Sequence, residues 1–208
     1  NTPDYVYYRI SSIEITEVSD ELIGLMQENS RMCHHLHIPV QSACNETLKR
    51  MNRPYTIEQF KEKIEYIRSC IPDISISTDV IAGFVQESDE EFETTYKNLA
   101  ELELSFFHVF PYSKRNGTKA STLKGEINGK IAKARVARLL ELSNECRKRD
   151  MQRFNPVQVL IERQQDGYYT GYTNQYHPCK ILSDIPLSGR ITFEWQRIED
   201  GTYYGKKD

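Results

Sequence analysis

The sequence predicts an α/β domain over residues 1–150 followed by a small antiparallel β-barrel over residues 151–208. Three observations carry this reading. Strand-like and helix-like patterns alternate four times before residue 114. One long helical pattern then runs from Asn128 to about residue 150. Beyond Pro156 the pattern switches to short alternating runs separated by Asp-Gly, Pro and Gly turn signals. Strands that alternate with helices favour a parallel sheet with helices packed outside it. Short, regularly spaced strands favour a small barrel. Four strand–helix units are half the eight of a closed α/β barrel, so the first domain reads as an open α/β sheet or as part of such a barrel.

Each element has its own signal. YVYYRISSIE, 5–14, is rich in aromatic and β-branched residues and predicts the first strand. Ser19 can cap a short helix that carries Leu22, Ile23 and Met26 on one face. HLHIPV, 35–40, predicts the second strand, and 45–52 a short helix. Thr56 and Gln59 fit a capping box, followed by Phe60, Ile64 and Ile67 at helical spacing until Pro72 and Asp73. ISISTDVIAGF, 74–84, predicts the third strand. Ser88 and Glu91 form a second capping box ahead of Phe92, Tyr96 and Leu99. SFFHVFPYS, 105–113, predicts the fourth strand. In the tail, VQVLIE, YYTGYT, RITFEW and TYYGKK are the barrel strands.

Composition bounds the function. Charged residues make up 27% and apolar residues 38%, an ordinary balance with enough apolar side chains for a core. No stretch approaches the ~18 apolar residues of a membrane helix and no signal-peptide pattern opens the chain, so a cytoplasmic protein without membrane partners is expected. The first residue is Asn1, which reads as a trimmed N-terminus or an excised fragment. The five cysteines are widely spaced, with no CxxC pair, so reduced and mostly buried thiols are expected rather than a zinc ribbon or a disulfide framework.

The net charge of −3 hides a segregation. Residues 1–113 carry 9 basic and 19 acidic side chains, whereas residues 114–153 carry 12 basic and 4 acidic ones. A basic block in an acidic protein fits either a polyanion-binding surface or a solvated helix face. Ile131, Val136, Leu139, Leu140 and Leu142 supply apolar positions to the long helix, and Lys130, Lys133, Arg135, Arg138, Arg147, Lys148 and Arg149 its other face.

Ligands of parallel α/β sheets gather at the carboxyl ends of the strands. Those ends hold Glu14, then Gln41 and Ser42, then Asp79 and Gly83, then Pro111, Tyr112 and Ser113. Two carboxylates and an amide offer acceptors to ribose hydroxyls or an ammonium group. Gly83 allows close approach of backbone. HHLHIP contains His34, His35 and His37, of which alternation puts His35 and His37 on one face. With no third ligand standing out, no metal site is expected.

Several phrases occur in a recognisable order: RISSIE, HLHIPVQSACNETLKRMNRPYT, IPDISISTDVIAGF, EEFETT and HVFPYSKRNGTKA. Together they resemble the radical-SAM methylthiotransferases over nearly all of residues 8–150. Residues 151–208, notably GYTNQYHPCKI, resemble the TRAM domain that closes those enzymes. The resemblance implies a partial radical-SAM, TIM-like barrel followed by an RNA-binding TRAM barrel. It implies S-adenosylmethionine (SAM) as cofactor and tRNA as partner. It also implies two 4Fe-4S clusters in the full-length protein, with their ligands outside this chain, which would be inactive alone. HVFPYSKRNGT most resembles the members acting on N6-threonylcarbamoyladenosine beside the anticodon, where the full enzyme would insert a methylthio group at carbon 2. Open alternatives are a non-catalytic RNA-binding module, and a methylthiotransferase acting on isopentenyl-adenosine or a ribosomal protein.

By the family's strand-end pattern, Glu14, Gln41, Ser42, Arg53, Asp79, Gly83 and Phe84 are candidates for the SAM pocket, with Pro111, Tyr112 and Ser113 ending the last strand. Candidate RNA contacts are Lys114, Arg115, Lys119, Lys130, Lys133, Arg135 and Arg138, with Tyr172 and Tyr176 as stacking platforms. Two phrases depart from the family. It usually has QSGS where this chain has Gln41-Ser42-Ala43-Cys44, and GFPGET where this chain has Gly83-Phe84-Val85-Gln86-Glu87-Ser88. Loss of a glycine and a proline predicts loss of a tight turn beside the SAM pocket.

Overall fold

A computed structural model describes residue 3 and residues 5–207. Its first half is built on a parallel sheet of β1 (His35–His37), β2 (Ser75–Ala82) and β3 (Phe106–Pro111), in that spatial order. The helix α1 (Asp20–Glu28) precedes β1 in sequence, α2 (Asn45–Arg50) and α3 (Ile57–Cys70) lie between β1 and β2, and α4 (Asp89–Glu101) lies between β2 and β3. The long α5 (Gly129–Met151) follows. Ser19 caps α1, and both expected capping boxes form, Thr56 with Gln59 and Ser88 with Glu91. These caps satisfy amide groups that the first helical turn leaves without partners.

The two faces of the sheet differ in chemistry. Leu36, Ile76, Val80 and Phe107 lie on one face, buried in a core with Phe60, Ile64, Ile67, Phe92 and Leu99 from the helices. The opposite face carries His35, His37, Ser75, Ser77, Asp79, Phe106 and His108, which the register places side by side. Period-two alternation alone produces this split.

The expected first strand is corrected. Residues 8–14 pair only through single bridges, Tyr8 to Met32 ahead of β1 and Ser12 to His37 within it. On the edge of β1 that faces residues 8–14, Pro39 has no N–H to extend the pairing beyond His37. On the β2 side, the Thr78 hydroxyl continues the pairing past β1, accepting from Val40 N–H at 2.8 Å and donating to Ile38 C=O at 2.7 Å. On the other side, α5 covers the free edge of β3. The Ser143 hydroxyl accepts from Phe107 N–H at 2.8 Å and donates to Phe107 C=O at 2.9 Å, which blunts an edge that could otherwise pair with another chain.

The tail forms a second sheet of β4 (Val157–Gln165), β5 (Tyr168–Thr173), β6 (Pro178–Leu182), β7 (Gly189–Phe193), β8 (Arg197–Glu199) and β9 (Thr202–Lys206). The order β7-β4-β5-β6-β9-β8 departs from an all-antiparallel closed barrel. β6 and β9 pair in parallel, and among the described residues no ladder joins β7 to β8. A parallel pair needs a crossover connection, here the excursion through β7 and β8, which alternation along each strand does not encode.

The two sheets meet at the end of α5. Met151 is buried in the tail's core with Val159, Ile181, Phe193 and Tyr203. Its neighbour Asp150 is also buried and holds Ser75 of β2, His177 of the tail (2.8 Å) and Arg153 (2.6 Å). Burial pushes the Asp150 carboxyl up, but hydrogen bonds from His177 and Ser75 outweigh this and leave it below the usual range. All five cysteines are free, with Cys44, Cys146 and Cys179 buried. No helix among the described residues is long and apolar enough to cross a membrane.

Candidate functional site

A cleft of about 460 Å³ opens at the carboxyl ends of the parallel strands. Its walls include Glu14, Gln41, Arg50, Asn52, Arg53, Ile81, Phe84 and Lys119. The local sequence places these groups. Asn52 adopts a left-handed conformation (φ 58°) at the end of α2. There Asn52 N–H donates to Lys49 C=O and Arg53 N–H to Leu48 C=O, both at 3.0 Å. This paired pattern is a Schellman stop, which asparagine tolerates better than most residues. The reversal directs Arg53 back to Glu14, where Nη1 donates to Oε1 at 2.8 Å.

Gln41 is also left-handed (φ 65°) and continues the sheet, with Gln41 N–H donating to Asp79 C=O at 2.9 Å and Ile81 N–H to Gln41 C=O at 2.8 Å. Two non-glycine residues in this sparsely populated region, both lining one cleft, concentrate backbone strain there. Arg50 is held by Glu91, which accepts from Nη1 at 2.8 Å. That contact lowers the Glu91 pKa and raises that of Arg50. Arg50 Nε is buried without a protein partner, and so is the Tyr112 hydroxyl. The Tyr112 ring packs edge-on against Phe84 at 5.0 Å.

The expected turn loss does not occur. Glu87 N–H donates to Phe84 C=O at 3.0 Å, with Gln86 left-handed (φ 64°) where the family has glycine. A type II turn needs positive φ at that position. The Gln86 side chain donates to Lys124 C=O at 2.8 Å, and Gln86 N–H donates to Gly125 C=O at 2.9 Å, which hold the strained residue in place.

The remaining sequence candidates divide. Ser42 is fully buried and bonds to Thr95, away from the cleft walls. Gly83 (φ 73°) faces α5, since an added Cβ would come within 2.8 Å of Ala132. Asp79 lies deeper on the polar face, its carboxylate 3.2 Å from His37 Nε2. Pro111, the last residue of β3, and Ser113, two residues beyond it, are exposed. Sequence reasoning missed Asn52 and Arg50. The Asn-Arg-Pro phrase after a short helix was the available signal for Asn52, whereas nothing local distinguishes Arg50.

The basic candidates divide as well. Arg135 is 5% exposed and committed to Glu87 and Asp89, each at 2.7 Å, so it presents no free charge. Arg138 pairs with Glu93 and packs over Phe92 and Tyr96. Lys114 pairs with Glu126 at 3.1 Å. Arg115, Lys130 and Lys133 are exposed. Tyr176 stacks on Tyr172 at 4.7 Å and carries the Arg9 guanidinium 3.7 Å from its ring centroid. Its ring is thus occupied, while Tyr172 is 37% exposed.

The cysteine thiols do not converge. Among the described residues, the group of metal-binding side chains that does converge is His37, Asp79 and His108. The chain therefore offers no fit for an iron–sulfur cluster. The cleft does suit a nucleoside-sized polar ligand, given its volume, its Glu14 carboxylate and its lining residue Arg50, whose buried Nε has no partner.

The Radical SAM superfamily pattern matches residues 4–99. The chain is 37% identical over 190 residues to the threonylcarbamoyladenosine tRNA methylthiotransferase MtaB of Bacillus subtilis, covering 88% of this chain and 42% of that protein. It is 39% identical over 172 residues to the tRNA-2-methylthio-N(6)-dimethylallyladenosine synthase of Thermodesulfovibrio yellowstonii, covering 81% and 40%. The chain thus spans about two fifths of the length of these relatives. Among solved structures it resembles coproporphyrinogen III oxidase HemN of Escherichia coli, a radical SAM enzyme, with a TM-score of 0.54 and 19% identity over 66% of this chain and 32% of that one. That likeness concerns the fold. The match to the superfamily pattern, the parallel sheet and these relatives together show that the chain belongs to the radical-SAM family, in the branch of the tRNA methylthiotransferases.

Proposed function

We propose that the chain is part of a tRNA methylthiotransferase and that its strand-end cleft holds SAM. The observation that carries this reading is the cleft itself, where Glu14, Gln41 and Arg53 meet on the segment matched by the family. When bound, SAM would supply the family's radical chemistry. The residues of this chain bind and orient. Glu14 accepts hydrogen bonds from hydroxyl or ammonium donors, and Arg53 fixes the Glu14 carboxylate. Gln41 offers an amide, and Phe84 an apolar wall for a base.

The proposed substrate is N6-threonylcarbamoyladenosine next to the tRNA anticodon, with carbon 2 as the site of methylthiolation. The HVFPYSKRNGT phrase supports this subtype over isopentenyl-adenosine. The tail is proposed to act as a TRAM module that helps hold tRNA. Arg115, Lys130 and Lys133 would supply phosphate contacts, which give affinity without sequence identity.

Calorimetric titration of the chain with SAM tests the cleft. Glu14→Gln and Arg53→Met should each weaken binding about tenfold, the scale of one lost charged hydrogen bond. Unchanged affinity in both variants would remove SAM from this cleft. Nucleoside mass spectrometry of tRNA from a strain lacking the gene tests the substrate, and loss of a different methylthio nucleoside would reassign it.

A further inference from the structure

We propose that His37, Asp79 and His108 form a binding site for a divalent first-row transition cation on the polar face of the parallel sheet. The three come from three neighbouring strands, and the fold alone unites them. Asp79 and His108 are direct partners in the β2–β3 ladder, and His37 pairs with Ser77, two residues before Asp79. Two residues along a strand return to the same face, so all three side chains project together. Their ligand atoms lie within 4.8 Å of one another.

His37 Nε2 and Asp79 Oδ1 are 3.2 Å apart. Two ligands each ~2.1 Å from one metal lie roughly 3–3.5 Å apart, so this pair already has the spacing of a chelate. Only His108 must swing inward, and it is exposed with its ring edge-on to Phe106. The Asp79 carboxylate is available to a cation, although the Arg147 guanidinium over the Phe106 ring is a positive charge on the His108 side. Among the described residues no lysine or arginine pairs with the half-buried Asp79 carboxylate, whose one ion-pair partner is His37. His37 Nδ1 is 2.9 Å from Ser77 Oγ. When Nδ1 donates to that oxygen, the Nε2 lone pair faces Asp79, the outer contact typical of metal-binding histidines. Ser77 is itself anchored by His35 Nε2 at 3.0 Å.

Two imidazoles and a carboxylate suit zinc, iron(II), manganese or cobalt, and leave coordination positions open on the uncovered side. Ile81, two residues past Asp79 on the same face, lines the cleft. The site therefore lies ~7 Å below the cleft floor along the strand. It is separate from the groups proposed to hold SAM.

The test titrates the untagged 208-residue chain with cobalt(II), followed by visible absorption and calorimetry. One equivalent should bind with the bands of nitrogen-ligated cobalt. His37→Ala, Asp79→Asn and His108→Ala should each weaken binding at least about tenfold. His34→Ala should not, because His34 bonds to Asp73 and the Met26 carbonyl instead. Circular dichroism melts separate misfolding from loss of a ligand. The exposed His108→Ala variant keeps the test decisive if Asp79→Asn unfolds. Substoichiometric binding without visible bands, or equal binding by His108→Ala and the parent, would overturn the site.

Discussion

The two halves of the basic segment, 114–133 and 135–153, carry six basic residues each but use them differently. In the second half, Arg135, Arg138, Arg149 and Arg153 all pair with carboxylates, and the Arg147 guanidinium lies 4.2 Å over the Phe106 ring. In the first half, only Lys114 has an acidic partner among the described residues. The number of basic residues in the sequence is equal, yet most of the cations without an acidic partner lie in the loop and the first turns of α5. Where α5 packs beside acidic side chains its arginines are paired with carboxylates, while the loop and the first turns of α5 leave their cations in water. Pairing, rather than count, locates a polyanion surface.

The strongest way to break this contrast is Arg135→Ala. Glu87 is 2% exposed and would be left buried without its partner. Loss of one member of a buried pair costs about 3–5 kcal/mol, which urea denaturation would measure. The pH dependence sharpens the prediction. Burial pushes the Glu87 carboxyl above its ordinary range, against the Gly83 amide and Arg135, which pull it down. A group with a raised folded-state pKa contributes stability below its unfolded value and loses it as pH rises through the folded value. Without Arg135 the folded value climbs further. The deficit of Arg135→Ala should therefore shrink as pH falls from neutrality toward the ordinary carboxylate range of about 4.3. A deficit that stays constant would show that Glu87 does not titrate in that window.

Charge reversal compares the halves directly. Replacing Arg115, Lys130 and Lys133 by Glu should weaken tRNA binding by about tenfold or more. It should also reduce the salt slope by about 0.9 for each phosphate that is no longer neutralised. Reversing Arg138 and Arg149 should leave affinity within about twofold, since exposed paired charges contribute little net field. Filter binding across salt concentrations reads both, and equal losses would dissolve the contrast.

The smallest effect concerns the link between the basic loop and the cleft. Gln86→Gly relieves left-handed strain of about 1 kcal/mol but removes the hydrogen bond to the Lys124 carbonyl, about the same size. Stability should change by less than about 1 kcal/mol in chemical denaturation. A larger loss would mean that this one amide holds the 124–125 backbone in place.

Much of the fold was legible because its signals are local. Capping boxes at Thr56 and Ser88, the Phe60-Ile64-Ile67 stripe and the β-branched run before Gly83 need only neighbours within a turn or a pleat. The cleft residues Glu14, Gln41, Arg53 and Phe84 were legible through strand ends and the family's phrases. Ser42 and Gly83 share those phrases but serve packing, and a motif does not say which way a side chain points.

By itself, the sequence determined the order of elements, the helix starts, the alternation that separates a polar from an apolar sheet face, and the branch of the family. Tertiary structure alone decided which arginines are spent on carboxylates, that β6 and β9 run parallel, and that His37, Asp79 and His108 share one spot. The physical reason is range. Capping and periodicity act over a few residues, whereas ion pairs, crossovers and cross-strand clusters join groups dozens of residues apart that meet only when the sheet assembles.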